Sequence, residues 1–167
     1  NLKNFEKILD DKKIKKILKR ISYQILEGNL DESEIFLVGI KKNGFEIAKL
    51  IKIELEKICD INIQIYPLVI DKKDLNKKIL TEIDLKKMND KTAILVDDVL
   101  NTGKTLIHAV KYILNAQLLK LVTVVLIDRN HKKFPIKVDI KGTSISTSIN
   151  ERIKLLIQKN KISAIFD

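Results

Sequence analysis

The sequence predicts an α/β protein, a mainly parallel twisted sheet flanked by helices, formed as one domain over residues 1–167. Three observations carry this expectation. Short apolar runs rich in strand formers, at residues 35–40, 92–97 and 121–127, read as strands buried on both faces. Between them, apolar residues recur at gaps of three and four, the spacing of a helix with one face on a core. Strand and helix alternate along the chain without an internal repeat or a linker, the pattern of crossover connections in a parallel sheet.

Each element has its own signal. Residues 5–27 place Ile14, Ile17, Leu18, Ile21, Ile25 and Leu26 on one helical face, and Glu27-Gly28-Asn29 supplies a stop. Residues 35–40 form the first buried strand, broken by Lys41-Lys42-Asn43-Gly44. Phe45, Ile47, Ala48, Ile51, Leu55 and Ile58 then resume helical spacing. Residues 61–70 alternate at first and end apolar, so a strand is expected. Residues 71–91 are mostly charged and lack sustained periodicity; they read as a flexible loop with a short helix near Ile83 to Lys87. Residues 92–97 are the clearest strand, 98–103 a turn, and Leu106, Ile107, Ala109, Val110, Ile113 and Leu114 a helix. A strand at 121–127 follows, then an irregular stretch at 134–150 and closing strands at 153–157 and 162–166.

Composition narrows the class. A length of 167 residues suits one domain with a real core. The 32% charged residues are interleaved with Ile, Leu and Val, which disfavours disorder. The net charge of +10 is mostly Lys in scattered pairs; only Arg20, Arg129 and Arg152 are arginines. That scatter is the mark of a solvated face more than of a nucleic-acid site. Cys59 is the only cysteine, which excludes an intramolecular disulfide. No apolar run approaches the ~20 residues that span a bilayer. The opening Asn-Leu-Lys-Asn-Phe-Glu-Lys lacks a signal peptide's apolar region, so a reducing cytoplasm is expected.

The chemistry concentrates at the end of the strand at 92–97, where parallel sheets hold their ligands. Asn101, Thr102, Gly103, Lys104 and Thr105 lead into a helix, and the free N–H groups at a helix start attract phosphate. Gly103 permits close backbone approach, the threonines add hydroxyl donors and Lys104 a charge. Asp97 and Asp98 stand just before this cradle. Their oxygens suit vicinal sugar hydroxyls, directly or through Mg²⁺. One end of the turn thus wants phosphate and the other sugar hydroxyls, which together describe a ribose 5-phosphate. A nucleoside-triphosphate loop would need Gly at position 98, where Asp stands. A metal site of another hydrolase or phosphotransferase, or a plain acidic turn and helix cap, are the competing readings. Paired acids at a buried strand end nevertheless cost desolvation unless they bind something.

Residues 94–105, Ile-Leu-Val-Asp-Asp-Val-Leu-Asn-Thr-Gly-Lys-Thr, resemble the signature of type I phosphoribosyltransferases. Residues 37–48 resemble the pyrophosphate loop of the branch containing the pyrimidine-operon regulator and uracil phosphoribosyltransferase. Residues 127–139, 146–153 and 163–167 resemble that branch's hood and C-terminal segments. The resemblance implies a Mg²⁺-dependent transfer of the phosphoribosyl group of 5-phosphoribosyl-1-diphosphate to a nucleobase, uracil ahead of a purine, with pyrophosphate released. It implies that Asp97 and Asp98 hold ribose hydroxyls and the metal, and that Asn101 to Thr105 hold the 5-phosphate. It places the pyrophosphate on Ile40, Lys41, Lys42, Asn43 and Gly44 through backbone amides. It sets Val99 at the base together with Lys137, Val138 and Asp139 of a hood at 128–150, and makes 71–91 a lid. A homodimer is implied as well. Two other readings accompany it: an RNA-binding regulator that senses nucleoside monophosphates, and a paralogue without turnover.

The sequence also departs from that family's pattern. Asn43 stands where an Arg is usual, and Lys41 or Lys42 cannot reproduce a bidentate fork. Asp71-Lys72-Lys73-Asp74 replaces an Arg-Asp-Asp cluster in the lid. Asn101 replaces the Asp of purine-specific members and cannot serve as a general base. Ile140 occupies the expected place of an aromatic residue that stacks on the base. His131 lies in the hood and is a lesser candidate for chemistry; His108, Tyr112 and Tyr23 read as ordinary helix residues.

Overall fold

The computed structural model describes residues 6–167. In chain order the elements are β1 (Lys7–Leu9), α1 (Asp11–Glu27), β2 (Glu34–Ile40), α2 (Asn43–Glu56), β3 (Asn62–Val69), β4 (Leu80–Thr81), a 3₁₀ turn at Leu85–Met88, β5 (Thr92–Leu100), α3 (Lys104–Ile113), β6 (Lys120–Asp128), β7 (Ile140–Ser144), β8 (Ile153–Gln158) and β9 (Lys161–Phe166). The main sheet has the order β4-β3-β2-β5-β6-β7. Neighbours from β3 to β7 run parallel and β4 is antiparallel. This is the α/β architecture the sequence predicts.

Alternation along the central strands divides the core between two faces. Ile35, Leu37, Ile94, Val96, Val124 and Leu126 pack with Ile14 and Ile21 of α1 and Ile47 and Ile51 of α2. Phe36, Val38, Ile40, Ala93, Leu95 and Val125 point the other way, against Leu106, Ala109 and Ile113 of α3. Successive strand residues face opposite sides, so a sheet covered on both faces needs apolar residues at every position. The uninterrupted runs in the sequence have this cause.

The structure corrects four expectations. The first helix starts at Asp11: Asp10 caps it, accepting the N–H of Lys13 at 2.8 Å. The expected start at residue 5 lies outside the described residues, and Lys7–Leu9 instead pair with β9, Lys7 facing Ile165. The segment 71–91 is only partly irregular. Leu80 pairs with Val69, and Ile83 and Met88 are buried against the α3 face. Residues 140–144, read as part of an irregular stretch, are a strand in parallel register with β6. Ile140 is thereby buried against the α1 side of the core, not placed at a base. The closing strands form a hairpin turned at Lys159 and Asn160, both at positive φ, and join β1 in a separate sheet of order β1-β9-β8. Among the described residues no helix is long and apolar enough to cross a membrane.

Ile51 is fully buried between α2 and the sheet, whereas Ile53, two residues on, is exposed. Replacing Ile51 by Ala should cost about 2–5 kcal/mol, since the cavity closes only partly. Ile53→Ala should change stability by less than ~0.5 kcal/mol. Urea denaturation with an unchanged m-value checks both.

Candidate functional site

The site is built on the carboxyl ends of β2 and β5, which lie side by side. β5 is apolar from Ala93 to Val96 and then presents Asp97, only 4% exposed. Asp97 Oδ1 accepts the N–H of Asp98 at 2.9 Å, and Asp98 Oδ1 accepts the N–H of Val99 at 2.8 Å. Burial pushes the Asp97 carboxyl well above the usual carboxylate range; the charge of Asp98 pushes the same way and Lys72 opposes it. Lys72 therefore reaches the strand tip from the segment after β3. Sequence reasoning treated Lys72 only as a departure. Its signal was weak, one lysine within a run of charged residues.

The loop at residues 40–44 closes against this acid. A Cβ on Gly44 would lie 2.7 Å from the carbonyl oxygen of Val96 and 3.3 Å from Asp97 Oδ1, so only glycine lets α2 start here. Lys41 donates its N–H to Leu68 O at 2.9 Å, and no side chain caps α2. Lys41 and Lys42 are exposed, and Ile40 is core. Any contribution of Ile40 to a ligand would come from its backbone.

On the other side of Asp97 the chain makes the turn into α3. Gly103 takes φ +85 and is followed directly by α3. The hydroxyl of Thr102 accepts the N–H of Lys104 at 3.3 Å, while Thr102 O accepts the N–H groups of Lys133 and Phe134. A cavity of about 60 Å³ is bounded by Lys72, Asp97 and residues 99–106. It brings together Asp97, Asn101, Thr102, Gly103, Lys104 and Thr105, and adds Val99, which is otherwise packed in the core. Its size and its lining of amides, hydroxyls and lysines suit a small oxyanion.

A second cavity, about 210 Å³, is lined by Asn101, Thr102, Arg129, His131, Lys133 and Ile149. Ile149 is 86% exposed and Arg129 is buried. Lys137, Val138 and Asp139, expected at a base, do not line this cavity. Asp139 accepts the N–H of Thr123 at 3.0 Å, and Lys137 O accepts the Thr123 hydroxyl at 2.7 Å. Thr123 faces Leu95, so Lys137, Val138 and Asp139 bracket the middle of β6 and not its carboxyl end. The cause is local: residues 137–139 turn the chain back so that β7 starts in register at Val124. Arg129, buried at the carboxyl end of β6 and lining this cavity, is a residue that sequence reasoning passed over. One signal was available, an Arg at a strand's carboxyl end in a chain that otherwise uses Lys.

Among the described residues no group of three or more His, Cys, Asp or Glu is arranged to hold a metal. Asp97 and Asp98 remain as neighbouring carboxylates, one of them desolvated. That suits a Mg²⁺ carried in by phosphates, which keeps only one or two protein carboxylates.

Residues 4–156 match the family model described as the phosphoribosyl transferase domain. The chain is 38% identical over 163 residues to the Bifunctional protein PyrR of Clostridium botulinum (strain Alaska E43 / Type E3), covering 91% of this chain and 89% of that protein. It is 33% identical over 164 residues to the Bifunctional protein PyrR of Latilactobacillus sakei, with 92% of each covered. Among solved structures, the hypoxanthine phosphoribosyltransferase of Trypanosoma cruzi superposes with TM-score 0.80 at 14% identity, covering 96% of each chain. A hypoxanthine-guanine phosphoribosyltransferase of Bacillus anthracis superposes with TM-score 0.78 at 19% identity, covering 97% of this chain and 99% of that one. At such identities the two structures speak to the fold.

The buried acid gives a pH signature. The folded protein keeps the Asp97 proton to higher pH than the unfolded chain, whose carboxyl titrates near 3.8. The stability from this group is full below that value and is lost as pH rises through the folded one. Asp97→Asn removes the penalty and keeps an acceptor for Asp98 N–H. The ligand-free Asp97→Asn variant should melt about 2–4 °C higher than wild type at pH 7, corresponding to ~1 kcal/mol, with the gain shrinking toward pH 4. Thermal melts across that range check it; an unchanged or lowered melting temperature at pH 7 contradicts it.

Proposed function

From the premise that this chain belongs to the phosphoribosyltransferase family, we propose that it transfers the phosphoribosyl group of 5-phosphoribosyl-1-diphosphate to a pyrimidine, with uracil preferred. The observation that carries the reading is the meeting at Asp97 of an acidic strand tip, the amide-lined turn into α3 and the glycine-dependent start of α2. On this reading the turn at residues 101–105 holds the 5-phosphate, Asp97 and Asp98 the ribose hydroxyls, and residues 40–44 the diphosphate. These residues would also hold Mg²⁺, through Asp97 and Asp98. The ion would offset the negative charge growing on the departing diphosphate.

The chemistry asked of the chain is then mostly positioning and charge. A ring nitrogen of the base attacks the anomeric carbon, the C1–O bond to diphosphate breaks, and the base gives up its N–H proton. The ribose turns cationic on the way, and the carboxylates beneath it favour that state. Lys72 stands beside Asp97, and Lys41 and Lys42 are exposed at the diphosphate loop. They supply charge without an arginine fork, which favours looser diphosphate binding than a guanidinium would give. The partly ordered segment 71–91 fits a lid whose anchored half begins at β4. A homodimeric enzyme of nucleotide salvage in a reducing cytoplasm is the setting proposed, in keeping with one free, half-buried Cys59.

A panel of nucleobases with labelled phosphoribosyl diphosphate tests this. Uracil should turn over fastest, and Asp98→Asn should lower kcat/KM at least about tenfold without a lower melting temperature. Absence of turnover with every base, together with no calorimetric binding of phosphoribosyl diphosphate, would sink the reading.

A second reading rests on the word bifunctional in the relatives' names and on one face of α1. Lys12, Lys15, Lys16 and Lys19 project beside Lys57 around a groove of about 500 Å³, tempered by Asp11 and Glu54. That array would follow an RNA backbone, as in a regulator that senses nucleotides. Affinity for a pyrimidine-operon leader RNA should then fall steeply with salt, and replacing Lys16 and Lys19 by Gln should flatten the slope by about one to two units. A slope that the double change leaves untouched excludes this face.

A further inference from the structure

The segment that follows β3 lines two cavities. Lys72 bounds the small one at Asp97. A few residues on, Leu75 and residues 77–79 enclose, with one face of α3, a cavity of about 340 Å³. On that face His108, Lys111, Tyr112 and, past the helix end, Asn115 recur at gaps of three and four, so they form one stripe. From His108 to Asn115 the stripe runs about 10 Å. None of these residues serves the site at Asp97, and the sequence marks His108 and Tyr112 only as ordinary helix residues.

The lining is amphipathic. Leu75, Ile79 and Tyr112 are half-buried and pack on the α3 side of the core, so they make an apolar floor. Lys77, Lys78 and Lys111 are exposed around it. Among the described residues no carboxylate lines this cavity, whereas the lysine groove on α1 contains Asp11 and Glu54. Asp71 meets Lys77 at 2.6 Å from outside the cavity. Lys78 and Lys111 have no ion pair among the described residues. Asn115 Nδ2 donates to Tyr112 O at 2.8 Å, which leaves its Oδ1 as an acceptor. Lysines that serve only solubility need no floor. Gathered around an apolar one, they suit a ligand with an anionic part and an apolar part.

We infer that the cavity between residues 75–79 and α3 is a second ligand site, for a phosphate ester that carries a flat ring with an N–H donor, and that its occupant fastens this segment to α3. The phosphate bridges Lys78 of the segment and Lys111 of the helix, the ring covers Leu75, Ile79 and Tyr112, and Asn115 Oδ1 accepts from the ring. The occupancy does not depend on the reaction proposed above. Its consequence reaches that site all the same: Lys72 is three residues before Leu75, so fastening the segment limits how far Lys72 can leave Asp97.

The chain has only two histidines, and each reports a different cavity: His108 this one and His131 the one beside Asn101. Their imidazole C–H signals are followed by NMR in the full-length protein. Uridine 5′-monophosphate is added first, in excess, to fill the site at the strand tip. Adenosine 5′-monophosphate, whose amino group is the donor, should then still move the His108 signal and saturate, leaving His131 where it was. Adenosine alone and inorganic phosphate alone should each act at least about tenfold more weakly. Changing Lys78 and Lys111 together to Gln should weaken the adenosine nucleotide about tenfold, the scale of two exposed ion pairs, with an unchanged melting temperature and an unchanged response of His131 to the uridine nucleotide. Amide exchange over residues 71–79 should slow when the adenosine nucleotide binds. A His108 signal that does not respond, that responds equally to inorganic phosphate, or whose response survives the double change overturns the inference. So does sedimentation showing this face covered by a second copy. If His131 ignores the uridine nucleotide, the transfer reading is the one weakened, and His108 still decides this site.

Discussion

A carboxylate at the dry tip of the central strand sets the terms for the rest of this molecule. Asp97 continues a strand whose four preceding residues are fully buried, so water cannot solvate it. The surrounding backbone partly compensates: Asp98 supplies an N–H, Gly44 lets a helix start come close, and Lys72 supplies a field. None of these neutralises the group, and the protein is less stable for keeping it ionisable. An unfavourable group retained beside an amide-lined turn is the signature of a site optimised for a bound state and not for the free fold. The sheet makes the placement possible. Only a strand covered on both faces delivers a side chain into so dry a position, and only its carboxyl end meets the starts of the following helices.

Much of this was legible in the sequence because burial on two faces leaves a plain mark. The runs 35–40 and 92–97 could hardly be anything but interior strands, and the turn at 101–105 carries its chemistry in its residue types. What stayed hidden depends on contacts distant in sequence. Residues 7–9 gave no strand signal of their own, being three residues whose pairing partner lies at the opposite end of the chain. The segment 71–91 read as irregular outside the short helix expected near Ile83 to Lys87, which is the 3₁₀ turn at Leu85–Met88, because its apolar side chains, among them Ile83 and Met88, fill gaps at the α3 face without any period. Resemblance set Lys137, Val138 and Asp139 at a base; that they also bracket Thr123 in the middle of β6 depends on contacts no local pattern announces. The bonding of Arg129 was invisible because its four partners come from two separate segments.

Arginine use follows from geometry. Arg20 and Arg129 both reach main-chain oxygens with their forks, the former at Lys141 and Gly142 within β7. A lysine could supply the charge in either place but not several directed donors at once. Where only a solvated charge is needed, as along α1, lysine serves, and pairs such as Lys15 with Asp11 add little stability.

The smaller sheet has a consequence for the order of assembly. Its strands join residues 7–9 to 161–166, and Ile162 bonds to Asp11, so it closes the longest loop in the described chain. Loop closure is an entropic cost borne before the contacts exist, and contacts this far apart form slowly. The parallel core, with nearer partners, can consolidate without it. Residues 147–151 lead straight into that late-forming sheet. The acid tip and the turn at residues 101–105 draw on nearer partners, whereas the cavity lined by Ile149 adjoins the sheet that closes the longest loop. The wall of that cavity is complete only when the two distant ends of the described chain have met.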